Sequence, residues 1–166
     1  LLPDQTFVDT LTLFEGRDQI DLYYFGAGHT DGDVVVVFHA LGVAHLGDLY
    51  AFKGTPIIDV QNGGSAIAYP DTLEKLLGTV TGVRRVIPGH MPPPAGSPIP
   101  SWVTWDDVRE YARFNRDFLV AVQDAYEAGL SVDDAAEKLS LQERYPDFSM
   151  DRARRNIELI YSELSQ

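Results

Sequence analysis

The sequence predicts a mixed α/β (α+β) fold, on three observations. Short period-two and β-branched runs, separated by glycines, fill the first ninety-five residues, and one helical stretch interrupts them. Six of the ten prolines then crowd into residues 88–100. Beyond that point every periodic stretch is helical. We therefore divide the chain into residues 1–95, a β layer with an outer helix, and residues 96–166, a proline-rich connector followed by a helical extension.

The elements follow in order. Thr6–Leu13 alternates at period two, and Gly16-Arg17-Asp18 turns it into a second strand, Ile20–Phe25. Val34–Phe38 is a β-branched run of the kind buried on both faces. Leu41-Gly42 turns it into Val43–Leu46. Ile67, Leu73, Leu76, Leu77 and Val80 share one helical face. Pro70 fits only in the first turn of that helix, with Asp71 and Glu74 near its positive end. Val83–Ile87 is the next strand. Thr104 to Asp107 reads as a capping box that opens a helix running to Gly129, its C-terminal stop. Ser131 caps a second helix that ends near Leu139, and Ile157, Ile160, Tyr161 and Leu164 line a third. These helices read as packing rather than chemistry, the first of them lying across the sheet edge or against the tail.

Composition excludes several classes of function. Of 166 residues, 45% are apolar and 23% charged, the ordinary range for a folded chain. The net charge of -12 repels phosphate backbones and anionic headgroups, so neither nucleic acid nor a membrane is an expected partner. No apolar run is long enough to span a bilayer. With no cysteine there is no disulfide, thiolate ligand or Cys nucleophile. The compartment stays open, since periplasmic, secreted and cytoplasmic homes all tolerate such a chain. Leu1-Leu2-Pro3 shows neither an initiator Met nor a signal-peptide pattern, which leads us to expect a natural beginning elsewhere.

The chemistry-bearing residues gather at strand ends. His29 lies in a glycine-rich loop between two strands, Asp48 follows Leu46-Gly47 at the tip of the next, and His90 closes the last strand after Ile87-Pro88-Gly89. Loops at one edge of a sheet can converge on a common site. Two imidazoles and a carboxylate suit a divalent metal, with zinc the first choice and iron or manganese the alternatives. Asp31 and Asp33 read as turn residues that hold the His29 loop. His45 reads as a buried, hydrogen-bonded side chain leaving the sheet on the face opposite Asp48, with a lesser role behind the site. His39 reads as solvated at a turn. Tyr23 and Tyr24 pack, and Lys53 and Asn62 either reach substrate or merely finish loops.

Taken together, Gly28-His29-Thr30-Asp31-Gly32-Asp33, Leu46-Gly47-Asp48-Leu49 and Ile87-Pro88-Gly89-His90 resemble the third, fourth and fifth metal motifs of the metallo-β-lactamase fold hydrolases, in the same order. The resemblance covers about residues 1–95. It implies one half of a four-layer αβ/βα sandwich, with His29 on a first metal, Asp48 bridging two metals and His90 on the second. It further implies a hydroxide held between two zinc ions and used against an ester-, lactone-, thioester- or amide-like bond of a small molecule. Thr30 would steady the loop. The family's His-x-His-x-Asp-His motif is absent, so the resemblance implies a C-terminal half whose site is completed by the N-terminal half of the same fold or by a second copy. Asp48 stands where many true β-lactamases carry Cys, Ala51 where some carry a substrate-binding Lys, and Gly32 where some lactonases carry Tyr. The glycine- and arginine-containing segment of the glyoxalase II group does not follow Asp48. Two other readings stay open: a non-catalytic module that covers its bare sheet by self-association or a partner, and a mononuclear enzyme using His29, Asp48 and His90 as a two-His-one-carboxylate set.

Overall fold

The computed structural model describes residues 4–90, 102–139 and 141–166. Most of the proline-rich connector lies outside them. Six strands form one sheet in chain order: β1 (Thr10–Leu13), β2 (Ile20–Tyr23), β3 (Val35–Phe38), β4 (Val43–Gly47), β5 (Arg85–Pro88) and β6 (Val103–Thr104). Neighbours pair antiparallel except β4 and β5, which run parallel. A parallel pair needs a crossover, and α1 (Tyr69–Thr79) supplies it. Pro88 ends β5 instead of opening the connector, at the strand end, where its missing N–H breaks no ladder. β1 is shorter than the alternation suggested. Its partner ends at Tyr23, one further bond joins Tyr24 N–H to the Asp9 carbonyl at 2.8 Å, and Gly26 (φ 125°) then turns the chain toward His29, so the pairing goes no further.

α1 and α2 (Trp105–Glu127) cover one face of the sheet. Val37, Ala44, Leu46 and Val86 from the strands meet Leu73 and Leu76 of α1 and Val108, Tyr111 and Phe114 of α2 in one core. The first half of α2 therefore completes the sheet's core, while its second half carries α3 (Val132–Lys138) and α4 (Ala153–Leu164) around Val122, Ile157 and Ile160. The capping signals hold in detail. Thr104 accepts from Asp107 N, the Asp107 side chain accepts back from Thr104 N, Ser131 accepts from Asp134 N, and Gly129 takes φ 73° beyond α2.

β3 corrects the sequence reading. Val35 and Val37 are buried, but Val36 and Phe38 are only half-buried, because among the described residues the helices lie on one face alone. On the other face Leu11, Leu22, Val36, His45 and Ile87 stand in register across five strands, and Leu13, Ile20, Phe38 and Val43 form a second apolar row. His39 is exposed, as expected, but its ring is also engaged. Its Nε2 lies 2.6 Å from Oδ2 of Asp21, which is buried in β2 and also accepts from Thr12, Gln19 and Tyr23. Burial raises the Asp21 pKa, yet those hydrogen bonds outweigh it and bring the group down to about 2. Tyr23 stacks on Phe25 with ring centres 5.5 Å apart, as packing.

Two predictions follow from these contacts. Thr104→Ala should cost about 1 kcal/mol of unfolding free energy in urea titration, because it orphans the Asp107 N–H at the head of the longest helix. An unchanged midpoint would show the cap to be idle. A carboxylate held below its unfolded pKa stabilises the fold above that value and loses its contribution as pH falls through the folded one. Asp21 should therefore give about 1–2 kcal/mol at neutral pH, allowing for the solvent-open His39 side, lost between about pH 4 and pH 2. Asp21→Asn should flatten that part of the stability curve, and an unaltered acid limb would remove Asp21 from the account.

Candidate metal centre

His29 is held from both sides of its backbone and by its ring. The loop around it closes when Asp33 accepts from Thr30 N (3.0 Å) and Thr30 Oγ1 (2.9 Å). This is the role expected of Asp33 and Thr30. Asp31 acts through its backbone instead, donating N–H to the Asn62 carbonyl at 2.9 Å. The 55–65 segment then runs beside the loop: Asp59 N–H donates to the His29 carbonyl at 2.8 Å, and Ser65 N–H to the Gly28 carbonyl at 3.1 Å. It passes so close that a Cβ at Gly64 would strike the His29 carbonyl. His29 Nδ1 lies 2.9 Å from the Ile57 carbonyl. A carbonyl can only accept, so Nδ1 carries a proton, and in the neutral ring Nε2 is left with the lone pair.

That lone pair faces Asp48 Oδ2 at 3.4 Å. Gly47 (φ 52°, ψ −135°) breaks β4, and Asp48 opens a short turn anchored by buried Leu49 and Tyr50. Tyr69 of α1 donates its hydroxyl to the Asp48 carbonyl at 3.1 Å, and Thr72 donates to the Ala27 carbonyl at 2.7 Å, so the crossover helix fixes both loops. Burial raises the Tyr69 pKa well above the ordinary tyrosine value, which keeps its hydroxyl a donor. Parallel pairing brings the end of β5 alongside. Gly89 N–H donates to the Tyr50 carbonyl and His90 N–H to that of Ala51. His90 Nε2 then lies 3.0 Å from Asp48 Oδ1, with its side chain 63% exposed. The two imidazoles thus flank opposite oxygens of one carboxylate. For a tetrahedral zinc with ligands at about 2.0–2.2 Å, neighbouring donor atoms stand roughly 3.3–3.5 Å apart; the His29–Asp48 separation matches this, while the 3.0 Å between His90 and Asp48 is that of a direct hydrogen bond or ion pair. The donors are of the right kind but too few. Among the described residues no set of three or more His, Cys, Asp or Glu side chains closes around a metal.

The fold, in part, is shared with known proteins. A search of family models finds no match. The chain is 27% identical over 89 residues to a metallo-beta-lactamase type 2 of Bacteroides fragilis, covering 54% of this chain and 36% of that protein. It superposes on TMB-1 with TM-score 0.54 and 14% identity, over 69% of this chain and 47% of that one. A metallo-beta-lactamase from Pontibacter korlensis gives TM-score 0.53 and 20% identity over 69% and 49%. DIM-1 metallo-beta-lactamase gives 0.52 and 17% over 66% and 46%. The chain carries part of a metallo-β-lactamase fold. It spans about a third of the curated relative and about half of each solved structure.

Within that partial metallo-β-lactamase fold the remaining candidates fall into place. His45 is half-buried rather than buried, because it stands on the uncovered face of the sheet, where its Nδ1 accepts from Gly47 N at 3.1 Å. Lys53 points away from His29 and Asp48. It pairs with Asp107 (2.8 Å) and Glu110 (3.3 Å) of α2, and those contacts outweigh burial and raise its pKa. Asn62 donates Nδ2 to Asp59 at 2.7 Å and finishes the turn behind His29. Its hydrogen bonds lower the Asp59 pKa. Sequence reasoning missed Tyr69, Thr72 and the Ile57 carbonyl, whose roles depend on where the crossover places them. A cavity of about 450 Å³ lies elsewhere, walled by Phe14, Arg17, Ile20, Phe38 and Leu41, and no site residue borders it.

Gly89 gives the direct test of this packing. A Cβ there would run into Asp48 Oδ1 and within 2.7 Å of the Gly47 carbonyl. Gly89→Ala should cost about 1–3 kcal/mol in urea titration and shift the NMR signals of both His29 and His90. Unmoved imidazole signals would show that the two strand tips are not in contact.

Proposed function

We propose that this chain contributes His29, Asp48 and His90 to a dinuclear metal-dependent hydrolase. The observation that carries the reading is His29 Nε2 facing the Asp48 carboxylate at 3.4 Å with Nδ1 already spent on Ile57, so that in the neutral ring two acceptors meet. Such a pair is repulsive unless a proton or a cation lies between, and borderline zinc suits one imidazole and one carboxylate oxygen; iron or manganese is the alternative. His29 would hold the first ion, His90 the second, and Asp48 would share one oxygen with each. Zinc bound there would supply a water acidified toward neutrality and positive charge for an oxyanion. The protein's own part is orientation: Ile57 fixes the His29 tautomer, Tyr69 fixes the Asp48 turn, and Asp33 with Thr30 holds the loop rigid.

Each ion would find one imidazole and one oxygen here, short of the three protein ligands of a catalytic zinc. The rest would come from a segment carrying His-x-His-x-Asp-His, on the N-terminal half of the same fold or on a second copy. The substrate would be a small molecule with an ester-, lactone-, thioester- or amide-like bond. A β-lactam is one such amide, and its class appears in the names of the relatives. A second reading, a self-associating or partner-binding module without catalysis, is favoured by the two apolar rows on the uncovered sheet face.

Zinc stoichiometry and size-exclusion on the 166-residue chain, with and without a segment bearing the missing motif, test both. The chain alone should hold less than one zinc tightly and hydrolyse no ester, lactone or β-lactam probe. Adding the segment should raise the count to two and restore hydrolysis, and His29→Ala or His90→Ala should each remove about one ion. One firmly held zinc in the chain alone, lost in either variant, would favour the mononuclear site. A stable dimer that binds no zinc in any mixture would favour the binding module.

A further inference from the structure

α4 grips the His29 support at two points. Near its start Asn156, 2% exposed, donates Nδ2 to the Pro56 carbonyl at 3.0 Å. Pro56 directly precedes Ile57, whose carbonyl holds His29 Nδ1. Near its end Glu163 accepts from Ser65 Oγ at 2.5 Å and from Ala66 N at 2.7 Å. Ser65 N–H in turn donates to the carbonyl of Gly28, the residue before His29. The acidic group suits its place, since residues 65–68 enter α1 and their N–H groups lack helical partners. Just ahead of the first grip, Thr55 exchanges hydrogen bonds with the approach to α4, donating to the Ser149 carbonyl (2.9 Å) and accepting from Arg152 N (3.2 Å). The sequence suggested only packing for this helix. It instead carries two polar side chains on the side facing the 55–65 segment: buried Asn156, one residue from the carbonyl that holds His29 Nδ1, and half-buried Glu163 on Ser65, which bonds to the residue before His29.

We propose that Asn156 and Glu163 are positioning residues for His29, setting its ring orientation and tautomer through the 55–65 segment. A His ligand is oriented by the hydrogen bond on its other nitrogen, so whatever fixes the Ile57 carbonyl fixes the direction of Nε2. The consequence for metal rests on reading His29 as a ligand, but the geometric claim does not.

The test uses the full 166-residue chain, zinc-free and labelled with ¹⁵N-histidine. The His29 ring should show a single tautomer with its proton on Nδ1. Asn156→Leu and Glu163→Ala should each move it toward the mixed tautomers of a free imidazole, leaving the His39 ring unchanged. Glu163→Gln keeps an acceptor oxygen and should restore the native signal. Leu159→Ala loosens α4 without touching either grip and should leave the ring alone. Zinc affinity of the same variants should fall about 10- to 100-fold where the ring moves. An unmoved His29 ring in folded Asn156→Leu and Glu163→Ala overturns the proposal, and so does an equal shift in Leu159→Ala. If Asn156→Leu does not fold, Ser65→Ala, which cuts the hydroxyl contact to Glu163, should move the ring in the same direction, and a static ring there overturns it. A chain that binds no zinc even with the segment bearing the missing motif, but shows the ring shifts, refutes the metal reading and keeps the positioning role.

Discussion

The parallel pairing of β4 with β5 is the constraint on which the site depends. Antiparallel partners would put the ends of consecutive strands at opposite edges of the sheet. Parallel partners put Gly47-Asp48 and Gly89-His90 at the same edge, and the crossover this demands delivers α1. Tyr69 and Thr72 on that helix then tie down the Asp48 turn and the start of the His29 loop. One topological choice thus assembles three loops from distant parts of the chain. Small residues make the junction possible: Gly47 breaks the strand with a positive φ, and Gly89 passes where a methyl group would meet a carboxylate.

Electrostatics gives the junction its chemical character. Asp48 is flanked on both oxygens, and at least one flanking imidazole has committed its proton elsewhere. The partial exposure of His90 leaves its side open. Such an edge, beside a sheet face lined with apolar side chains, has the character of an interface as much as of a pocket. On the function proposed above, one body lying on that sheet would both supply the remaining ligands and cover the apolar face.

The strands and helices were largely legible because their signals are local. The Thr104 and Ser131 caps, Gly129 and the Pro70 position each follow from a few neighbouring residues. His29, Asp48 and His90 were legible as three strand-end residues, and their order carried the resemblance to the fold. What stayed hidden depends on which face the helices cover. Val36 and Phe38 read as core in a β-branched run, and only the one-sided layering leaves them half-buried. His39 read as solvated because its partner Asp21 lies 18 residues away in sequence. Asn156 and Glu163 drew no reading of their own, since nothing near them in sequence announces Pro56 or Ser65, about a hundred residues upstream.

The central claim is that Asp48 bridges, with His29 and His90 serving different ions. Anomalous diffraction at the zinc edge, on crystals of the chain grown with excess zinc, tests it most directly. The account predicts two separate peaks, one between His29 Nε2 and Asp48 Oδ2 and one between His90 Nε2 and Asp48 Oδ1. A single peak within bonding distance of both imidazoles would contradict it.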